Sequence, residues 1–385
     1  MENFEEKACL CALNRIFGFE PKIGLALISH LGSAAEVFRL GEDGINSLLG
    51  PYSRYRGKIN RLALDKAAEE LEMLGRQGTH FCGITGDDYP RLLGDCEDAP
   101  IGLYVRTSTP LPDLWKKCGL GVVGTRDISL YGKEWCRKLV EAVSYSAQRP
   151  AIISGLALGV DIEAHRTALD CGLPTIAVMA TGPETIYPYR HRSYAERIAS
   201  TPGCALITDY PPGTAPLAIH FIRRNRIIAG LSDSVLLIES RVRGGGMMTC
   251  RLAFSYNRDV YALPGRADDP RSGGCNELIY KKIAEPVISV TSFTESLGLS
   301  VRKTAAPHTD RLRSFYSSRL GKDDLDRICA IASLIRKSRG ITVEDIASSL
   351  PENYAKTAEL AGMLEIDGFI NTDLLRRCNI NPKNM

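Results

Sequence analysis

Arg223, Arg224, Asn225 and Arg226 occupy four successive positions, two residues after Phe221. Guanidinium forks suit phosphate oxygens, and an exposed phenylalanine ring gives a base something to stack on. Together these residues can do non-covalent chemistry, gripping a nucleic-acid backbone while a base packs on the ring. Successive residues of a helix point about 100° apart, so the four cannot all serve one face. Some must face a ligand and some must anchor the segment. The alternative is a structural arginine network with Phe221 in the core.

A second stretch has the shape of an anion site. Ala151-Ile152-Ile153 is a short β-branched run suited to a buried parallel strand, and Ser154, Gly155 and Gly159 follow it. Asp161 then stands where a helix N-cap belongs, and Ile162, His165 and Leu169 share one helix face. A strand, a glycine loop and a helix can place backbone N–H groups around an anion. Many α/β turns need glycine for geometry alone. Asp161 and His165, four residues apart, could pass for an acid–base pair. No nucleophile accompanies them, so they read as a cap and a histidine that it satisfies.

The elements that must hold these residues alternate. Strands are expected over 120–123, 151–154, 175–179, 204–207, 234–238 and 260–263, with helical stretches between. That pattern predicts an α/β fold, a doubly wound parallel sheet of Rossmann-like type. Ligands of such sheets bind beyond the carboxyl ends of the strands. Gly124-Thr125-Arg126, Ser154-Gly155, Thr181-Gly182, Glu239 and Pro264-Gly265 all follow strands and should gather on one edge. Residues 1–78 read as a small all-α module, with Phe19-Glu20-Pro21-Lys22-Ile23-Gly24 similar to a helix-hairpin-helix or SAM-like turn. Residues 79–300 form the core, its first part (81–117) a proline-marked connection. Residues 301–320 read as a basic linker, with five basic residues and one acid. Residues 321–385 hold three helices and a short ribbon, a winged-helix-like pattern. The third helix carries Glu359 and only one lysine, Lys356, which suits docking better than reading a duplex.

Composition narrows the class. The net charge of +3 does not advertise a polyanion partner, but between Tyr189 and Arg243 there are eight arginines against four acids. Twelve scattered cysteines form no C-x-x-C pair and no zinc spacing. That predicts a reducing cytoplasm, no disulfide scaffold, no metal and no cofactor. The acidic start, Glu2 to Glu6, is unlike a secretory signal, and no apolar run approaches a membrane span.

An ordered set of motifs resembles the DprA (Smf) family of DNA-processing proteins. It comprises Tyr89-Pro90, Val123-Gly124-Thr125-Arg126, Ser154 to Asp161 with Ala164-His165, and Gly182. Tyr187-Pro188, Arg223 to Ile228, Glu239, Thr249, Pro264-Gly265 and Asn276 to Ile279 complete it. The resemblance implies an extended Rossmann core that binds incoming single-stranded DNA, protects it, and helps load a RecA-type recombinase during natural transformation. It implies a homodimer and no catalysis. By matched position, Gly124, Thr125 and Arg126 would form a phosphate loop, with the amides of Gly155 and Gly159 a second cradle. Arg223, Arg224, Asn225 and Arg226 would be the backbone clamp and Phe221 the stacking platform. Arg126 and Asn225 are the members expected to face the ligand. The competing class is a nucleotide phosphoribohydrolase of the lysine-decarboxylase-like group. Its mark is P-G-G-x-G-T-x-x-E; here Arg243-Gly244-Gly245-Gly246-Met247-Met248-Thr249 lacks the leading proline, and Leu252 replaces the glutamate.

Overall fold

The structure, a computed structural model, describes residues 4–299, 307–338, 340–350, 354–373 and 376–381. It divides into two compact units, Met1–Val301 and Arg302–Met385.

The first unit is built on a nine-stranded sheet. Its strands are β1 Thr79–Gly83, β2 Gly102–Arg106, β3 Gly119–Val123, β4 Ala151–Ser154, β5 Thr175–Val178, β6 Ala205–Thr208, β7 Ser234–Leu237, β8 Asp259–Ala262 and β9 Glu285–Pro286. The spatial order is β1-β2-β6-β5-β4-β3-β7-β8-β9. Pairing is parallel from β6 through β9, as the alternation predicts. The strand order reverses at β3, which lies between β4 and β7.

Side chains along the strands alternate between two cores. Val123, Ile153 and Leu237 join the helices Ala218–Leu231, Gly245–Ser255 and Gly273–Tyr280 on one face. Val122, Ile152 and Leu236 join the helices Leu130–Ser144 and Val160–Asp170 on the other. Each fully buried aliphatic side chain contributes about 1.5–3 kcal/mol, so this two-sided burial is the main force fixing the strand register.

Three expectations need correction. The proline-marked segment is not only a connection, because β1 and β2 pair antiparallel with each other and β2 pairs with β6. The boundary at 78/79 does not separate two cores. Leu10, Leu13 and Phe17 of the helix Phe4–Phe17 pack with Phe81, Ile101 and Tyr104 in one cluster. Finally, the expected linker 301–320 is folded in its second part. Residues 301–306 lie outside the described residues, but Pro307–Tyr316 is a helix, and Leu312 and Tyr316 are buried in the core of the second unit.

That second unit continues with helices Lys322–Lys337, Val343–Ser349 and Tyr354–Ile366, and strands β10 Ile341–Thr342, β11 Ile370–Thr372 and β12 Arg377–Ile380. The sheet order is β10-β12-β11, antiparallel throughout. Thr342 caps its helix, accepting from the Asp345 N–H at 3.2 Å, as its sequence position suggests.

Candidate nucleic-acid interface

A crevice of about 550 Å³ opens beyond the carboxyl ends of β3 and β7, at the reversal of strand order. Three segments make most of its lining: the loop after β3 (Gly124, Thr125, Arg126), the first turns of Ala218–Leu231 (Phe221, Asn225), and the Ser240–Gly246 loop after β7; Ala157, Asp161 and Tyr187 also border it.

The loop after β3 is held by its neighbours. The Thr125 N–H donates to the Glu239 carbonyl at 2.7 Å, and the Val160 N–H donates to the Thr125 carbonyl at 3.1 Å. The Glu239 carboxylate is buried and accepts from the Ser129 amide and hydroxyl, while the Ser129 hydroxyl caps Leu130–Ser144. With its amide already bonded, Thr125 lines the crevice through other atoms. The exposed Arg126 guanidinium lies 5.1 Å above the Phe221 ring. It has no carboxylate partner among the described residues. Phe221 meets Tyr187 edge-on at 5.4 Å and belongs to none of the buried clusters, so it is a rim residue. Asn225 also faces the crevice; its amide nitrogen lies 3.5 Å from the Gly245 carbonyl.

The arginine row divides. Arg226 is buried, paired with Asp209 at 2.7 Å and also bonded to the Asp98 carbonyl. Arg223 turns away from the crevice: it donates to the Gly18 carbonyl at 2.8 Å, and its guanidinium lies 4.4 Å from the Phe19 ring centroid. Both therefore anchor the fold instead of forming part of a clamp. Arg224 lies under the crevice, only 3% exposed, and donates to the Val178 carbonyl at 2.7 Å. It borders the crevice from below, beside the Asp161 carboxylate.

The second cradle is not open. The Arg224 guanidinium packs where a Cβ on Gly155 would have to be. The amides of Gly155 and Ala157 point at a carboxylate of the protein itself, that of Asp161. Gly159 has φ +77°, and a Cβ there would run into the Thr125 carbonyl and the Arg126 backbone, so it serves close approach of two loops. Gly159 is also the N-cap residue, which places Asp161 inside the first helical turn. Burial raises the Asp161 carboxyl, against the pull of Arg224 and those amides. Burial also lowers Arg224, against Asp161.

Asp161 and His165 have separate partners. His165 Nδ1 lies 2.7 Å from the Thr175 hydroxyl, and burial pushes the ring down to about 3. At neutral pH it is a neutral packing group.

The expected single edge separates into regions. Pro264-Gly265 borders another depression, with Tyr131 and Arg266. The Gly182 N–H is taken by the Thr214 carbonyl at 3.1 Å.

Three parts of the crevice were missed from sequence. Exposed Arg241 and Arg243 line it without a carboxylate partner among the described residues, and Tyr187 lines its rim. Gly244, Gly245 and Gly246 open the helix Gly245–Ser255, whose N-terminus has no side-chain cap. Such a terminus favours an anion. Gly246 packs against Gly124, which brings the two loops together. From sequence the stretch 243–249 reads as a departure from the enzyme mark and, at Thr249, as a family motif; arginines flanking a glycine run directly after a strand are the signal for a ligand edge.

Comparison with known proteins decides the family. A family model described as DNA recombination-mediator protein A matches residues 80–298. The chain belongs to this family. The match covers β1 through the last helix of the first unit and includes every segment lining the crevice. Protein Smf of Synechocystis is 38% identical over 235 residues, 59% of this chain and 56% of that protein. The match thus spans little more than half the length of that curated relative. The solved structure of DNA processing protein A from Streptococcus pneumoniae superposes with a TM-score of 0.62 at 29% identity, covering 77% of this chain and 98% of that one. A structure of the Helicobacter pylori protein, described for its single-stranded DNA binding mode, gives 0.50 at 28% identity over 56% of this chain and 95% of that one.

Among the described residues no helix is long and apolar enough to cross a membrane, and no His, Cys, Asp and Glu cluster could hold a metal.

Proposed function

We propose that this protein binds single-stranded DNA in the crevice at the β3–β7 switch, protects it, and delivers it to a RecA-type recombinase during natural transformation. One observation carries the reading: Arg126, Arg241 and Arg243, none with a carboxylate partner among the described residues, surround an uncapped helix N-terminus beside the half-exposed Phe221. Cations and amides suit phosphates, and the aromatic rim suits a base. The Helicobacter relative, whose structure is described for its single-stranded DNA binding mode, points the same way. The recombinase step and a cytoplasmic site of action rest on the family.

The protein acts as a homodimer in this reading. Tyr280 and Ile288, 86% and 78% exposed, flank edge strand β9 and offer apolar surface for a second copy. The second unit is a winged-helix-like docking module. Lys356 is already paired with Asp324 at 3.0 Å and Glu359 at 3.2 Å, which leaves the helix Tyr354–Ile366 poorly suited to a duplex groove. No hydrolase activity is expected, because Leu252 stands where the competing class needs its glutamate.

The test is a gel shift with single-stranded and duplex DNA at two salt concentrations. Single strands should be preferred, with log affinity falling by about 0.7 per neutralised phosphate for each unit of log salt. Duplex preference or a flat salt response would overturn the reading.

A further inference from the structure

A second basic feature lies beside the crevice. Glu163 is buried, and three cations converge on its carboxylate: Arg166 at 2.7 Å, Arg137 at 3.2 Å and Lys133 at 4.0 Å. One carboxylate cannot neutralise three cations, so the cluster keeps a surplus of positive charge. Neighbouring acids are engaged elsewhere. Glu134 pairs with Lys138, Asp170 with Arg197, and Glu141 accepts from the Tyr145 hydroxyl. The cations remain reachable, with Arg137 57% and Lys133 42% exposed.

The position of the cluster gives it meaning. Its helices, Leu130–Ser144 and Val160–Asp170, both start at the crevice. Ser129 is bound to Glu239, and Val160 donates to the Thr125 carbonyl of the Arg126 loop. At 1.5 Å per residue, Lys133 and Glu163 lie about 5–6 Å along their helices from that rim, and Arg137 about 12 Å. The four-residue step from Lys133 to Arg137 runs away from Arg126 along a single helix face. Glu163 lies beneath these side chains and orients them, as a buried carboxylate can for arginine forks.

We infer that Lys133 and Arg137, steadied by Glu163 and Arg166, form an exit track that holds the phosphate backbone of a single strand leaving the crevice past Arg126. This rests on the crevice reading and adds to it that the bound strand is longer than the crevice, with its path on the helical flank.

The test uses the full chain with two oligothymidylates, about six and about twenty nucleotides long, to bracket a one-site footprint. Lys133→Gln/Arg137→Gln leaves Glu163 paired with Arg166, so the fold is kept, which an unchanged melting temperature checks. On the long strand this variant should lower the salt slope by about 1.4, two phosphates' worth, while binding the short strand like the unmodified protein. Arg126→Ala should weaken both. An unchanged slope on the long strand overturns the track, and the crevice reading then stands if Arg126→Ala still weakens both strands. Arg126→Ala with no effect on either strand overturns the crevice and, with it, the start of the track.

Discussion

The floor and the rim of the crevice are both rich in arginine, yet the two regions use it differently. The floor is Arg224, which lines the crevice from below, together with the interior behind it, where Arg226 is buried; both are desolvated and committed to Val178, Asp209 and Asp98. At the rim, Arg126, Arg241 and Arg243 stand in solvent with no carboxylate partner among the described residues. A buried charge needs its partners to be tolerated at all, whereas an exposed one keeps its hydration until a ligand replaces it. The floor should therefore respond to mutation as a fold does, and to acid. The rim should respond as a binding surface does, and to salt.

The largest expected effect is on the floor. Arg226→Ala strands the Asp209 carboxylate at a buried site and should cost about 3–5 kcal/mol of stability. Denaturant unfolding reads this directly; a loss near zero would move Arg226 to the rim class.

Acid should be the next lever. His165 is held down to about 3, from an ordinary 6.5, by burial with Arg224 and His191 close by. Between those values the unfolded chain takes up a proton that the native one refuses. The stability it contributes is complete above about 6.5 and declines as pH falls toward 3. Asp161, raised by burial, acts in the opposite sense over the acid end of that window. The melting temperature should fall between about pH 7 and about pH 4.5, and less steeply in His165→Gln. Equal acid sensitivity in that variant would assign the effect to other groups.

Two rim substitutions complete the contrast. Phe221→Ala should weaken single-strand binding by about 1–3 kcal/mol and barely move the melting temperature, since the ring touches Tyr187 and Arg126 and not the core. A large melting shift would return Phe221 to the floor. The smallest effect should be that of Arg126→Ala, which lowers the salt slope on single strands by about 0.7 across all sequences.

Most of the parallel sheet was legible because its strands are apolar runs separated by helical stretches, a local signal. The edge formed by β1 and β2 was not. Leu103-Tyr104-Val105 is a clear strand run, but the prolines around it suggest a connection, and the antiparallel partner of Leu103 lies 21 residues earlier at Cys82. At the site, residue types in the row were legible and directions were not. Four neighbours on a helix must diverge, but which of them meets Asp209 or Gly18 depends on segments far away in sequence. The glycine loop misled for a related reason: its amides do face an anion, and that anion is the protein's own Asp161.

That internal carboxylate has a consequence for competition. In a dinucleotide-binding Rossmann protein a glycine turn between strand and helix is where the pyrophosphate settles. Here the 155–159 turn is plugged by one of the chain's own side chains and capped by Arg224, so nucleoside triphosphates and dinucleotides find no seat in it. The phosphates of the monomers from which DNA is made should therefore find no seat at this turn.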